Sequence, residues 1–331
     1  MNAFISFLAV GGLIAMVLIG AGTLQLKSLF GVIIPYAAIA AFLAGVVYRV
    51  IGWAKSPVPF NIATTCGQQN SLPWIKSNKL DNPSSTLGVI GRMALEVLLF
   101  RSLFRNTKAE LRTGPRLTYT ANKWLWLGGL VFHWSFLIVF LRHYRYFAEP
   151  VPGFVRLLQN IDGFFQIGVP IIYITNITIL AALSFLFLRR LFSAQLRYFS
   201  LFADYFPLLL IGSIAATGVL MRYFFKTDIV AVKELAMGLV SFNPVVPDGL
   251  GILFYVHLFL VCVLVAYFPY GKLMHMGGVL LSPTRNLPNN SRSRRHINPW
   301  DYPVKVHTYE EWEEEFADKI KAAGLPMEKD K

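Results

Sequence analysis

Six apolar runs, each close to the length of a bilayer crossing, constrain this 331-residue chain more than any other feature. A helix rises about 1.5 Å per residue, so about 20 apolar residues cross a hydrocarbon core of about 30 Å. The runs fall near residues 3–22, 31–53, 124–141 (running on to about 146), 164–188, 204–224 and 250–270. The composition agrees, at 55% hydrophobic and 15% charged, where soluble domains run nearer a quarter charged. The expected fold is an all-α integral membrane protein: a six-transmembrane-helix bundle with a cytoplasmic loop and a C-terminal tail.

Charge sets the expected orientation. The net charge of +13 is not a nucleic-acid signal here, because excess Lys and Arg in a membrane protein marks its cytoplasmic loops. The segment 54–123 carries Lys55, Lys76, Lys79, Arg92, Arg101, Arg105, Lys108, Arg112, Arg116 and Lys123 against Asp81, Glu96 and Glu110. It is placed in the cytoplasm, and an even number of spans then puts both termini there. Within it, residues 88–105 have helical apolar spacing with arginine on the other face, which predicts an interfacial or docking helix. Arg92, Glu96 and Arg101 argue against a seventh span. The N-terminus lacks a basic leader and reads as a retained helix, with cleavage as the alternative. The chain divides into two N-terminal helices (1–53), the loop (54–123), a four-helix core (124–281) and a tail (282–331). That tail joins a basic cluster, Arg285, Arg292, Arg294 and Arg295, to an acidic amphipathic segment at 309–320. It either touches a partner or is simply solvated.

Cys66 and Cys262 are too few for a disulfide framework. Without a CxxC the chain alone holds no iron–sulfur cluster or zinc, and without CxxCH it holds no covalent haem. Cys262 reads as a small buried hydrophobe. Cys66, in a Gln- and Asn-rich stretch, reads either as inert or as a thiol facing a redox partner.

Four of the six histidines lie in or at the end of apolar helices: His133 and His143 in the third, His257 and His275 in the sixth. Imidazoles in a membrane are costly and usually functional. Ten residues separate the first two, a rise of about 15 Å, and they fall near one side of their helix. Eighteen separate the second two, a whole number of turns, which would put both on one face. These helices run in opposite directions, so His133 meets His275 at the inner depth and His143 meets His257 at the outer. The other pairing would cross the membrane diagonally. Two stacked, non-covalent b haems, each held by two imidazoles, are expected. Against this stands a rise of about 27 Å between His257 and His275, which tilt and a kink at Pro269 can shorten. The competing reading is four isolated interface or pore histidines. Arg142, Arg145 and Arg189 lie near the depths of haem propionates, or are ordinary interface anchors.

The chain resembles the cytochrome b (gamma) subunit family of respiratory nitrate reductases over about residues 33–283. The segments that carry the resemblance are 34–49 (IPYAAIAAFLAGVVYR), His133-x9-His143, Arg189-Arg190-Leu191-Phe192-Ser193, and His257 through FPYGKLM to His275. The resemblance implies that the four histidines ligate two b haems and that quinol, here menaquinol, is oxidised near the outer one. That family places a lysine near the quinol site. A gapless reading from RRLFS puts Phe164 there, with Asp162 and Gln166 the nearest polar replacements. Quinol oxidation needs a proton acceptor, which Asp162 could supply unless it only caps a helix. The extra N-terminal helix, the TTCGQQ segment around Cys66, residues 82–105 and the longer tail are similar to a closer group, the DsrM family of membrane cytochromes from sulfite-reduction-associated Dsr complexes. That resemblance implies a cytoplasmic iron–sulfur partner similar to heterodisulfide reductase (DsrK), which serves the sulfur carrier DsrC, with further membrane and periplasmic subunits. The expected function is a menaquinol-oxidising, electron-transfer subunit in dissimilatory sulfur metabolism. A quinone-reducing cytochrome running in reverse and a non-haem transporter or anchor are the alternatives.

Overall fold

The computed structural model describes residues 1–56, 74, 78–105, 108–114, 116–166, 170–290 and 306–328. Cys66 with its TTCGQQ segment, Lys76, Arg292, Arg294, Arg295 and His296 lie outside the described residues.

The chain begins with α1 (Asn2–Val17), which widens into a π-helical stretch over Leu18–Thr23. A second such stretch, Leu29–Ile33, leads into α2 (Ile34–Ala54), with Pro35 in the first turn, where its missing N–H costs nothing. In the loop, the Ser85 hydroxyl accepts the Gly88 N–H and starts α3 (Thr86–Leu99). Phe100, left-handed at φ 49°, separates α3 from α4 (Arg101–Phe104). The antiparallel strands β1 (Lys108–Arg112) and β2 (Arg116–Thr120) follow. Asn122 accepts the Leu125 N–H at the start of α5 (Lys123–His143). Next come α6 (Gly153–Asp162) and a small hairpin, β3 (Gly163–Phe165) with β4 (Ile172–Tyr173), then α7 (Ile174–Phe192). A short α8 (Ala194–Phe199) precedes α9 (Phe202–Tyr223). Asp228 caps α10 (Ile229–Val240). α11 (Ile252–Tyr267) gives way to two 3-10 turns, Phe268–Tyr270 and Lys272–Met274, and then to α12 (His275–Leu281) and α13 (Pro283–Asn286). In the tail, Thr308 and Glu311 form a reciprocal cap on α14 (Tyr309–Glu315), followed by α15 (Ala317–Ala322).

Among the described residues, six helices are long and apolar enough to cross a membrane: Asn2–Thr23, Leu29–Ala54, Lys123–Tyr146, Ile174–Phe192, Phe202–Tyr223 and Ile252–Tyr270. Their outward faces carry exposed Phe, Leu and Ile, among them Phe7, Leu43, Phe140 and Ile177. The protein is a multi-pass membrane protein. α1 packs on α9 and α11, α2 on α11, α5 on α7, α7 on α9, and α9 on α11. The main core gathers around α11, where Tyr255 and Leu260 meet Val17, Phe30, Leu210 and Leu235. α11 is the central span, 44% buried over its most apolar stretch, and α5 the peripheral one, at 11%. α5 and α11 are not among the closely packed pairs; α7 and α9 connect them. Asn2 donates to the Ser200 carbonyl at one end of the bundle, and Tyr36 donates to the Leu239 carbonyl at the other. The six spans therefore begin and finish at the same end, the one that carries His275.

Four expectations need correction. The fourth span starts at Ile174, not near residue 164. Pro170 cannot continue a helix, and Ile172 and Tyr173 pair back onto Gly163 and Phe165 instead. The sixth does not continue past Pro269 as helix: it stops at Tyr267, so helical periodicity does not align His275 with His257. The segment 88–105 is two helices broken at Phe100, with a hairpin behind them. The outer loop 225–249 contains α10.

Candidate functional site

Helix α5 faces α11 and the first residue of α12, and the four histidines fall into two opposed pairs. The rings of His143 and His257 lie 6.4 Å apart and nearly parallel, at 12°. Those of His133 and His275 lie 6.0 Å apart and nearly perpendicular, at 83°.

Each imidazole is held by its Nδ1. In His133 and His143 that atom lies 2.7 Å from the carbonyl oxygen one helical turn back, Gly129 and Val139 respectively. In His275 it lies 2.8 Å from the Lys272 carbonyl. A carbonyl only accepts, so in the neutral ring Nδ1 carries the proton and Nε2 the lone pair. His257 reaches the same state by another route. The Thr217 hydroxyl has one proton, which it donates to the Ser213 or Ile214 carbonyl at 2.8 or 3.0 Å. It is left to accept from His257 Nδ1 at 2.9 Å. Gly218 lies under this ring, and a Cβ there would stand 3.4 Å from His257 Cε1.

The ring separations would suit a metal ion held between the two imidazoles of each pair. Two metal–nitrogen bonds of about 2 Å, with about 1 Å from each nitrogen to its ring centre, separate such rings by about 6 Å. Each pair offers two nitrogens from opposite sides. Among the described residues no group of three or more His, Cys, Asp or Glu is placed to hold a metal ion. The other ligands would have to come from the bound group, as a porphyrin supplies them. Anchoring each Nδ1 to an acceptor is the usual means of orienting a metal-binding imidazole.

The surroundings differ at the two ends. Beside His133 stand Phe100, edge-on at 4.8 Å, and Phe132 at 5.0 Å. The indoles of Trp126 and Trp134 on α5 donate to the Leu99 and Leu98 carbonyls, the last of α3. At the other end a buried polar network ties α5 to α7. Arg142 Nε lies 3.2 Å from Asp162 Oδ2, and its Nη2 donates to Thr175 and Asn176. The two Asp162 oxygens accept from the backbone N–H and the hydroxyl of Thr175 at 2.9 and 2.6 Å, which caps α7. The Tyr173 ring sits between two guanidiniums, Arg142 at 3.7 Å and Arg222 at 4.4 Å. Arg142 thus gives its Nη2 to protein acceptors, while its buried Nε faces Asp162 without a formed hydrogen bond. Gln166 is exposed just after β3. Arg145 lies over the Tyr146 ring, and Arg189 is half-buried in the last turn of α7. Sequence reasoning did not single out Thr217, Gly218, Tyr173, Arg222 or Phe100 as neighbours of this site. Thr217-Gly218 inside an apolar run was the available signal; the others had none.

The family model of the nitrate reductase gamma subunit matches residues 88–288, a stretch that contains all four histidines. The chain belongs to the nitrate reductase gamma-subunit family. The match leaves α1 and α2 outside it. Two relatives of this gamma-subunit protein cover most of its length. One from Archaeoglobus fulgidus is 48% identical over 280 residues, 82% of this chain and 83% of its own. One from Archaeoglobus profundus is 42% identical over 275 residues, 81% of each chain. Both are described as an Hdr-like menaquinol oxidoreductase cytochrome b-like subunit.

Proposed function

We propose that this protein is the dihaem cytochrome b subunit of a menaquinol oxidoreductase. It would oxidise menaquinol at the His143 end and deliver electrons at the His275 end to a cytoplasmic iron–sulfur subunit similar to heterodisulfide reductase. The observation that carries the reading is the pair of opposed imidazole sets, 6.0 and 6.4 Å apart, each ring anchored through Nδ1. His143 with His257 would hold one haem and His133 with His275 the other. Bound there, the haems would pass single electrons across much of the bilayer. The descriptions of the two relatives support the menaquinol and the Hdr-like partner. On the DsrM resemblance the complex would serve dissimilatory sulfur metabolism, with DsrK as that partner and further membrane and periplasmic subunits.

Orientation follows from charge. Lys55, Lys123, Arg189, Arg190, Arg197 and Lys272 gather at the His275 end, which supports a cytoplasmic side for it. Menaquinol loses two protons as it loses two electrons, so its site needs a proton acceptor on the opposite face. Asp162 is the buried carboxylate at that face and the candidate acceptor, working from within the Arg142–Thr175 network that holds it. Exposed Gln166 is the candidate polar contact for the quinol.

Haem quantification and a reduced-minus-oxidised spectrum of the purified chain test the reading. Two b haems per chain are expected, reduced by a menaquinol analogue. A colourless protein purified from its native membrane would end it.

A further inference from the structure

We infer that α2, through Gly45 and Arg49, is the positioning element for His275, setting where and at what angle that ring faces His133. This rests on the two-haem reading above.

The need arises from length. On α5, ten residues separate the two histidines, a rise of about 15 Å; on α11, eighteen would give about 27 Å in continuous helix. The difference of about 12 Å would carry His275 beyond the depth of His133. The chain leaves the helix at Tyr267 and crosses Phe268–Met274 in two 3-10 turns joined by extended Gly271, so it does not continue along the α11 axis, and His275 comes to face His133. Such a break frees backbone carbonyls, and in an apolar setting freed carbonyls need donors.

Helix α2 supplies them. Arg49 donates from Nε to the Pro269 carbonyl at 3.1 Å and from Nη2 to the Tyr270 carbonyl at 3.4 Å. Gly45, one turn earlier, lets the helix come close enough: a Cβ there would fall 2.8 Å from Pro269 Cβ and 2.9 Å from Tyr270 Cζ. Phe42 packs on Phe268 at 5.9 Å, and Trp53 reaches Gly277 and Gly278 on the far side of the break. The last link is Lys272. Its ammonium is held by Asp204 at 2.7 Å, and its carbonyl accepts from His275 Nδ1. From Arg49 to the imidazole the contacts are continuous. His257, by contrast, is braced by Thr217 and Gly218 of α9.

The ring angles provide the readout. Perpendicular axial imidazoles give a ferric haem a strongly anisotropic low-spin electron paramagnetic resonance signal, and parallel ones a rhombic signal. The 83° and 12° angles predict one of each. In the full chain, Arg49→Gln and Gly45→Val should shift or abolish the anisotropic signal and lower haem content from two per chain towards one. The rhombic signal should stay in place. Gly45→Ala, which adds a single methyl, should shift the anisotropic signal with haem content kept. Arg49→Lys, which cannot serve both carbonyls in the same geometry, should fall between Gln and wild type. Equal loss of both signals, or a shift in neither, would overturn the inference while leaving the two-haem reading intact. A wild-type chain without haem removes that reading first, and this one with it.

Discussion

The two imidazole pairs use the same kind of ligand, two histidines each, but are built by different means. At the His143 end the rings are nearly parallel, one is hydrogen-bonded to a neighbouring helix, and a buried ion pair closes the helices around them. At the His275 end the rings are nearly perpendicular, and one stands on a broken helix held by arginine. A loop residue, Phe100, covers the other. The lesson is that helix continuity fixes the first pair and side-chain tethers fix the second. On the two-haem reading, identical ligands would then hold their irons in different electronic states.

The sharpest way to break the comparison is to remove one ring. His143→Ala should delete the haem with the rhombic signal and leave the anisotropic one, halving the haem measured per chain. Next in size, Asp162→Ala leaves the Arg142 guanidinium buried without its carboxylate. That should cost about 3–5 kcal/mol, read as a lowered melting point in detergent, with the His143 site loosening first. Thr217→Val removes the acceptor for His257 Nδ1. Loss of such an outer partner typically weakens metal binding by about 10–100-fold, and haem titration should show this at one site of two. The smallest effect lies in the loop. Asp81 is pushed up by burial, but the guanidiniums of Arg101 and Arg105 outweigh this and hold its carboxyl below the ordinary value. Its contribution is present above the unfolded value of about 3.9 and is lost as pH falls through the lowered one. Asp81→Asn should cost about 1 kcal/mol or less, seen as faster proteolysis of the loop at neutral pH that converges with wild type in strong acid.

Much of this architecture was legible in the sequence because it follows from period and length. Six apolar runs gave six spans, and counting residues along opposed helices set His133 against His275 and His143 against His257, as the rings are found. The same arithmetic exposed the excess rise between His257 and His275 and pointed to Pro269. It could not show that the chain leaves the helix altogether, because the Arg49 donors that make the break tolerable lie 220 residues away in sequence. The late start of α7 was hidden for a similar reason. Residues 164–173 are apolar enough to read as helix, although Pro170 argues for a later start; the capture of Thr175 by Asp162 and the pairing of Gly163 with Tyr173 place the first turn at Ile174. Asp162 was picked out for its polarity. Its commitment to Arg142 and Thr175 is a tertiary fact.

Phe100 has a mechanical consequence. Its left-handed backbone ends α3, hands that helix's last carbonyls to two tryptophans of the membrane domain, and lays its ring against His133. The loop is therefore a lever with its short arm on an imidazole. A tug on α3 would reach His133 through the Phe100 ring and, through the two tryptophans, the helix that carries it.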